Sequence, residues 1–525
     1  MKCCPLFYHK ETTGGVLMAQ KKTEERKHLF GTTEKSDFIL NMTREGTHKL
    51  CGLYSIIAIA VLLVANIPYT IAKHTFDNYD QDNVRHYADD LLADYISIFV
   101  IGMGLIGFWF FLVGRMKKEV VIKDNKALLL PVFIIAVSAW SMFASGDISV
   151  GFLGYLDRSE GLLTILAYWG FFAAGMVVTS DKWRIKLTDF LVAVGLFNAV
   201  VAIAQTIPGL YSIMPNKFKD LFIRMGNRLE EGQFLTEEGI FEKGQAATGF
   251  MITPHALAAV MTIIFAVAAA GFAFEKSGKK KVFYGVSAAA CSVAAICSKT
   301  ITGIIGVGTA AAAVLVIAIV KSVKDKKKAP IVLALCAALV VGGSAAGLYA
   351  SGAVEFKDEE AIYTDSFYRL STGVPRTNQD EWIYSYMWSD GAYVIQQHPI
   401  TGTGPDNWSK MYENGLTADR SYNEYLDVGM QRGIICLVLY GLFLIVTLVK
   451  LFKAAARHFR DGESVSWTAL GFLGAIIAYM VQAFFNIGSN FSSPYFWLVA
   501  GVGWSFFASK TKEPKKVKTK AEKAE

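Results

Sequence analysis

The stretch from His398 to Gly433 gathers most of the residues able to do chemistry: HPITGTGPDNW, a spacer, then DRSYNEYLDVGMQRG. Gly402 and Gly404 flank Thr403, and Pro405 follows. Such a turn allows a backbone to approach a bound group closely, and equally serves as a plain connector between two surface helices. His398 opens the turn in an H-P pair that is often only structural. Ser421 to Glu424 fits the S-x-x-E capping box ahead of an apolar run, which predicts an N-cap at Ser421 and Tyr422 in the first turn. Arg420 stands immediately before that N-terminus. A cation beside free helix N–H groups makes a seat for an anion such as a lipid diphosphate. Arg432 falls within an apolar segment, where a charge lines a cavity, pairs with an acid or snorkels to the headgroups. His255, after Pro254, reads as a histidine satisfied at a proline kink.

The elements that must hold these residues are membrane helices. The chain has 525 residues, 53% of them hydrophobic, and a net charge of +7. Its mean hydropathy is +0.36. The apolar residues form long runs, and about 20 such residues cross the ~30 Å hydrocarbon core. The predicted architecture is an all-α integral membrane protein of about twelve spans: 50–72, 93–114, 127–145, 160–179, 187–207, 246–274, 281–297, 300–320, 329–350, 426–451, 465–487 and 494–509. The basic clusters sit in alternate short loops, around Arg115 to Lys126, Lys182 to Lys186, Lys279 to Lys281, Lys321 to Lys328 and Lys450 to Arg460. That pattern puts both termini in the cytoplasm. It also explains the positive charge without nucleic acid.

The expected division is a cytoplasmic tail over 1–49, nine helices over 50–350, an extracytoplasmic loop over 351–427, three helices over 428–509 and a basic cytoplasmic tail over 510–525. Two outer segments, Pro208 to Gln245 and Ser351 to Asp427, are too long to be mere turns. The seven cysteines avoid them, so no disulfide framework is implied.

The pattern H-P-x-x-G-x-G-P, then D-R-x-x-N-E-Y-L, then a glycine in a membrane helix, resembles the O-antigen ligase and polymerase superfamily. GYLDRSEGLLTILAYW, from Gly154 to Trp169, resembles the family's R-x-E-G-L-L segment, and YMVQAFFNIGSNFSSPYFW its Q-x-x-x-N stretch. The resemblance implies a type-C glycosyltransferase fold in the cytoplasmic membrane. It implies transfer of a glycan from a polyprenyl-diphosphate-linked oligosaccharide to a hydroxyl of a glycan or glycolipid acceptor, with no metal and no cofactor. Such a transfer needs cations for the departing diphosphate and a base for the hydroxyl. On that reading Arg158, Arg420, Lys299 and Arg432 are the diphosphate-binding candidates; Arg158 matches the family's arginine, and Lys299 stands where relatives often carry arginine.

The base is where the chain departs from the family. Many members have D-R-A-H-N-E-Y-L, and Tyr422 stands where they have histidine. A phenol with a reference pKa of about 10 is a poor base at neutral pH. The candidates are His398, a carboxylate among Asp419, Glu424 and Asp427, or Tyr422 itself. The alternatives are a transition state dissociative enough to need no strong base, and a diverged relative that only binds glycolipid. A transporter or flippase for a lipid-linked glycan is the rival of another class; it predicts paired broken helices and charge at the midplane.

Overall fold

A computed structural model describes residues 42–76, 84–117, 125–155, 158–206, 247–251, 253–326, 328–350, 384–415, 420–461 and 467–507. Residues 1–41 of the expected N-terminal tail, the tail over 510–525, the whole of the 208–245 segment, and residues 351–383 and 416–419 of the long loop, Asp419 among them, lie outside the described residues. The described residues hold no strand. The helices are α1 (Arg44–Phe76), α2 (Val84–Met116), α3 (Leu129–Ser145), α4 (Ile148–Leu153), α5 (Leu162–Met176), α6 (Asp181–Gln205), α7 (Pro254–Phe274), α8 (Gly278–Cys297), α9 (Ile301–Asp325) and α10 (Ala329–Ala350). They continue as α11 (Tyr384–Gln397), α12 (Trp408–Glu413), α13 (Glu424–Asp461), α14 (Thr468–Gln482) and α15 (Ser493–Ser505).

Each of the twelve expected spans meets a helix. Nine helical segments among the described residues are long and apolar enough to cross a membrane. The other three positions hold α5, α10 and α15; within α10 the apolar stretch is Ala329–Gly343, and α15 has 13 residues. At 1.5 Å per residue, the 15 residues of α5 reach only about 22 Å. Nearly all its side chains are buried against protein, so it belongs to the interior of the bundle.

Two helices form the centre. The membrane-crossing window of α7 is 89% buried, and α7 packs against α6, α8, α9 and α14. The largely buried α5 lies between α2 and α15. Small residues let α5 and α2 touch through their backbones: a Cβ on Gly170 would stand 1.9 Å from the Gly104 carbonyl oxygen. Trp169, Phe172, Phe443, Trp497 and Trp504 fill the adjoining core edge-to-face and stacked.

The basic helix ends gather at one end of the bundle. Lys117 donates to the Met42 carbonyl, and Thr179 meets His48 at 3.1 Å. Arg184 donates to both Ser505 Oγ and Ser505 O, and Arg457 to Phe506 O. The opposite end carries the residues with chemical potential.

Two local expectations change. Pro254 occupies the first turn of α7, with Thr253 as N-cap, so His255 sits at a helix start and no kink is present. The helix expected from Ser421 begins at Glu424. Asn423 is its cap, its Oδ1 accepting from the N–H groups of Tyr425 and Leu426. Tyr422 at φ 51° breaks the helical path that Ser421 would have begun.

Candidate functional site

Helix α13 is interrupted at Gly433 (φ 77°, ψ 170°). A break in a helix strips carbonyls and amides of their partners, and at membrane depth these must be replaced. The glycine turn supplies the replacements. Thr403 N–H donates to Met430 O at 2.9 Å, Gly404 N–H to Gln431 O at 3.0 Å, and Ile434 N–H to Pro399 O at 2.8 Å. Ser141 Oγ adds a bond to Gln431 O. Gly402 and Gly404 both have positive φ. A Cβ on Gly402 would lie 2.4 Å from the Gln431 carbonyl carbon. The close approach anticipated for this turn is therefore made to the broken helix.

The same turn delivers Asp406, fully buried, into the segment ahead of α5. Its Oδ2 accepts the N–H groups of Tyr155 at 2.8 Å and Glu160 at 3.0 Å, and its Oδ1 lies 3.4 Å from Arg158 Nε. From the other side Asn490 donates to Arg158 O at 2.9 Å and Ser97 Oγ at 2.7 Å, and accepts from Tyr168 O–H. The backbones of Arg158 and Glu160 are thus fixed by side chains 332 and 246 residues away.

Glu160 meets Arg420 at 2.8 Å. Both line a pocket of about 70 Å³ between α3, α5, α13 and α15, together with Glu424, Asp427, Gln431 and Arg432. Ile134, Ile165, Trp169, Val428 and Trp497 form its apolar wall. Burial pushes the Glu160 carboxyl up to about 7, opposed by Arg420 and reinforced by Asp406. Glu424 is held on both oxygens, by Tyr440 O–H at 2.5 Å and Tyr479 O–H at 2.6 Å. Asp427 Oδ1 accepts Ser421 O–H at 2.6 Å and Ser421 N–H at 3.2 Å. Among the buried atoms of pocket-lining residues, Asp427 Oδ2 and Arg432 Nε have no hydrogen-bond partner within the described residues.

Of the anticipated residues, the structure brings Arg420, Arg432 and Glu424 into one pocket, with Arg158 beside it through Asp406. His398 is not among the pocket residues; it ends α11 and its Nε2 meets Asn414 Oδ1 at 3.1 Å. Lys299 lies buried in the α8–α9 turn at φ 53°. Two residues on, Ile301 packs in a cluster with Met387, Trp388, Phe485 and Tyr422. Tyr422 meets His255 edge-on at 5.0 Å between ring centres. These residues form a second, mostly apolar grouping apart from the pocket.

Glu160, Asp406, Tyr440 and Tyr479 were not singled out from sequence. Glu160 and Asp406 lie inside the motifs quoted for the resemblance, two residues after Arg158 and Gly404 respectively. The tyrosines lie in apolar helices and give no local signal.

Residues 285–441 match the family model described as O-antigen ligase. No curated protein matches the chain. The matched stretch contains Asp406, Arg420, Glu424, Asp427, Arg432 and Tyr440, while Arg158, Glu160 and Tyr479 come from outside it. Over residues 285–441 the chain is thus similar to the O-antigen ligase family, and the apolar helices around that stretch are those of a multi-pass membrane protein.

Proposed function

We propose that this protein is a membrane glycosyltransferase of cell-surface polysaccharide synthesis. It would move a glycan from a polyprenyl diphosphate carrier to an acceptor hydroxyl at the extracytoplasmic face. The observation that carries this reading is a buried pocket lined by two arginines, with one guanidinium N–H, Arg432 Nε, lacking a partner. A buried charged donor without a partner is costly unless a ligand supplies the acceptor. A diphosphate fits, because guanidinium groups engage its oxygens in paired, charge-assisted bonds. Arg420 and Arg432 take the departing diphosphate, and Arg158 supports them from beside Asp406. The basic helix ends at the far end of the bundle would face the cytoplasm. A transporter would use the freed carbonyls of a broken helix for its cargo. At Gly433 the Met430 and Gln431 carbonyls are already taken by Thr403, Gly404 and Ser141, which favours a fixed catalytic scaffold.

The direct test is reconstitution in liposomes with a polyprenyl-diphosphate-linked oligosaccharide extracted from cells that express the protein, and the glycolipids of the same cells as acceptors. Glycan leaving the carrier for an acceptor is the expected result. An intact carrier-linked glycan that merely crosses the bilayer would establish transport instead.

A pH dependence follows from the Glu160–Arg420 pair. Burial raises the Glu160 carboxyl well above the ordinary carboxylate range, against the pull of Arg420, so the ionised form that holds Arg420 prevails at the alkaline end. As pH falls the carboxyl takes a proton sooner than an exposed glutamate would, and Arg420 turns more fully to the diphosphate. Affinity for polyprenyl diphosphate is expected to rise several-fold from pH 8 to pH 6. In Glu160→Gln affinity should stay at the low-pH level across that range. A wild-type affinity that is flat with pH, measured by fluorescence quenching of a labelled carrier, would contradict this exchange.

A further inference from the structure

The pocket holds three carboxylates, and their surroundings differ in a way that separates their roles. Both oxygens of Glu424 already accept tyrosyl O–H groups. Glu160 is engaged with Arg420 at 2.8 Å. Asp427 is anchored on one oxygen only: Oδ1 takes both the N–H and the O–H of Ser421. Its Oδ2 is buried and has no hydrogen-bond partner. A buried carboxylate oxygen left unpaired is expensive unless a donor arrives. The arrangement is that of a base held by an orienting group on one side and open on the other. The pocket has room for a donor: about 70 Å³, where a single water needs about 10–15 Å³ by the same measure. Arg420 and Arg432 line that pocket too, so a hydroxyl donating to Asp427 Oδ2 would stand beside the bound diphosphate.

We propose that Asp427 is the catalytic base of the transfer, its Oδ2 taking the proton of the acceptor hydroxyl. This rests on the glycosyltransferase reading above. The acceptor oxygen forms a bond to the anomeric carbon of the glycan. The bond from that carbon to the diphosphate oxygen breaks, and its electron pair leaves on the diphosphate between Arg420 and Arg432. The acceptor O–H proton passes to Asp427 Oδ2, and Ser421 holds the carboxyl in position throughout. Tyr422, which replaces the family's histidine, packs against His255 and needs no part in the proton transfer.

The test uses the full chain in liposomes with the extracted carrier-linked oligosaccharide and its glycolipid acceptors. Asp427→Asn keeps the shape and can still accept from Ser421, but cannot take a proton. It should lower kcat about 100-fold, the lower end for loss of a general base, with donor binding within about threefold of wild type. Azide is an anionic nucleophile that needs no base. Asp427→Ala supplied with azide should therefore release the glycan from its carrier as a glycosyl azide, which a merely structural aspartate would not produce. Wild-type kcat in Asp427→Asn, or no glycosyl azide from Asp427→Ala while wild type transfers, overturns the assignment and leaves the glycosyltransferase reading standing. Absence of transfer by wild type itself overturns that reading. If neither Asp427 variant accumulates, Ser421→Ala decides: a roughly tenfold fall in kcat at unchanged KM supports the proposal, and an unchanged kcat refutes it.

Discussion

Arg420→Ala is expected to abolish transfer, with a loss of at least about 10³-fold, and to weaken the fold. Two effects combine. On the proposed reaction the variant loses a preorganised cation where diphosphate charge would develop, a kind of contact that typically contributes about 10²–10³-fold by itself. It also leaves Glu160 without its 2.8 Å partner in a pocket where the carboxylate is only 13% exposed. Removing one member of a buried ion pair costs up to about 3–5 kcal/mol, because the remaining carboxyl either stays charged without compensation or must take up a proton. The two effects separate in a double variant. Arg420→Ala with Glu160→Gln should recover most of the thermal stability, since the stranded charge is gone, and none of the transfer. Arg420→Lys should fall between, keeping the charge and losing the planar fork. Transfer in liposomes and thermal unfolding in detergent check both limbs. Wild-type transfer by Arg420→Ala would remove Arg420 from the site.

Asp406→Ala is the second large effect. The carboxylate is the tie between the glycine turn and the Tyr155–Gly161 segment, accepting two backbone N–H groups and facing Arg158. Alanine leaves those N–H groups and the guanidinium short of a partner in a fully buried place, each costing about 1–3 kcal/mol. A displacement of about 1 Å in Glu160 and Arg158 is enough to cost about 10²-fold in rate. Loss of most folded protein, and transfer below a hundredth of wild type in what remains, is the expected outcome. Asp406→Asn can still accept one of the two N–H groups. It should fold with reduced thermal stability and show a raised donor KM, with kcat less affected. Full activity in Asp406→Ala would show that the turn does not position the donor site.

Some features were written locally in the chain. Each apolar run read from hydropathy meets a helix among the described residues, nine of them long and apolar enough to cross a membrane, since each side chain's preference for lipid or water acts independently of the fold. The basic clusters marked one set of helix ends. Gly402 and Gly404 were legible as a place of unusual backbone, since only glycine takes positive φ without cost; the break at Gly433 was not. Arg420, Glu424 and Arg432 were legible as functional candidates because ionisable residues are rare beside or within apolar runs.

What those residues touch was decided by tertiary structure. Ser421 looks like an N-cap and instead anchors Asp427 six residues on, because Tyr422 turns left-handed and Asn423 caps the helix. Glu424 looks like the acid of a capping box and instead receives O–H groups from Tyr440 and Tyr479. His398 stands closest to the glycine motif in sequence, yet the turn hands the broken helix its backbone amides and sends Asp406 to Arg158, leaving His398 with Asn414. The charges of Arg158, Glu160, Arg420 and Arg432 could be counted from sequence, but their pairing could not. An ion pair depends on a few ångströms between side chains more than 250 residues apart, and on the exclusion of water around them. Composition and periodicity fix the membrane helices one at a time; the pocket exists only where α3, α5, α13 and α15 close around those charges, with Asp427 Oδ2 and Arg432 Nε among its lining.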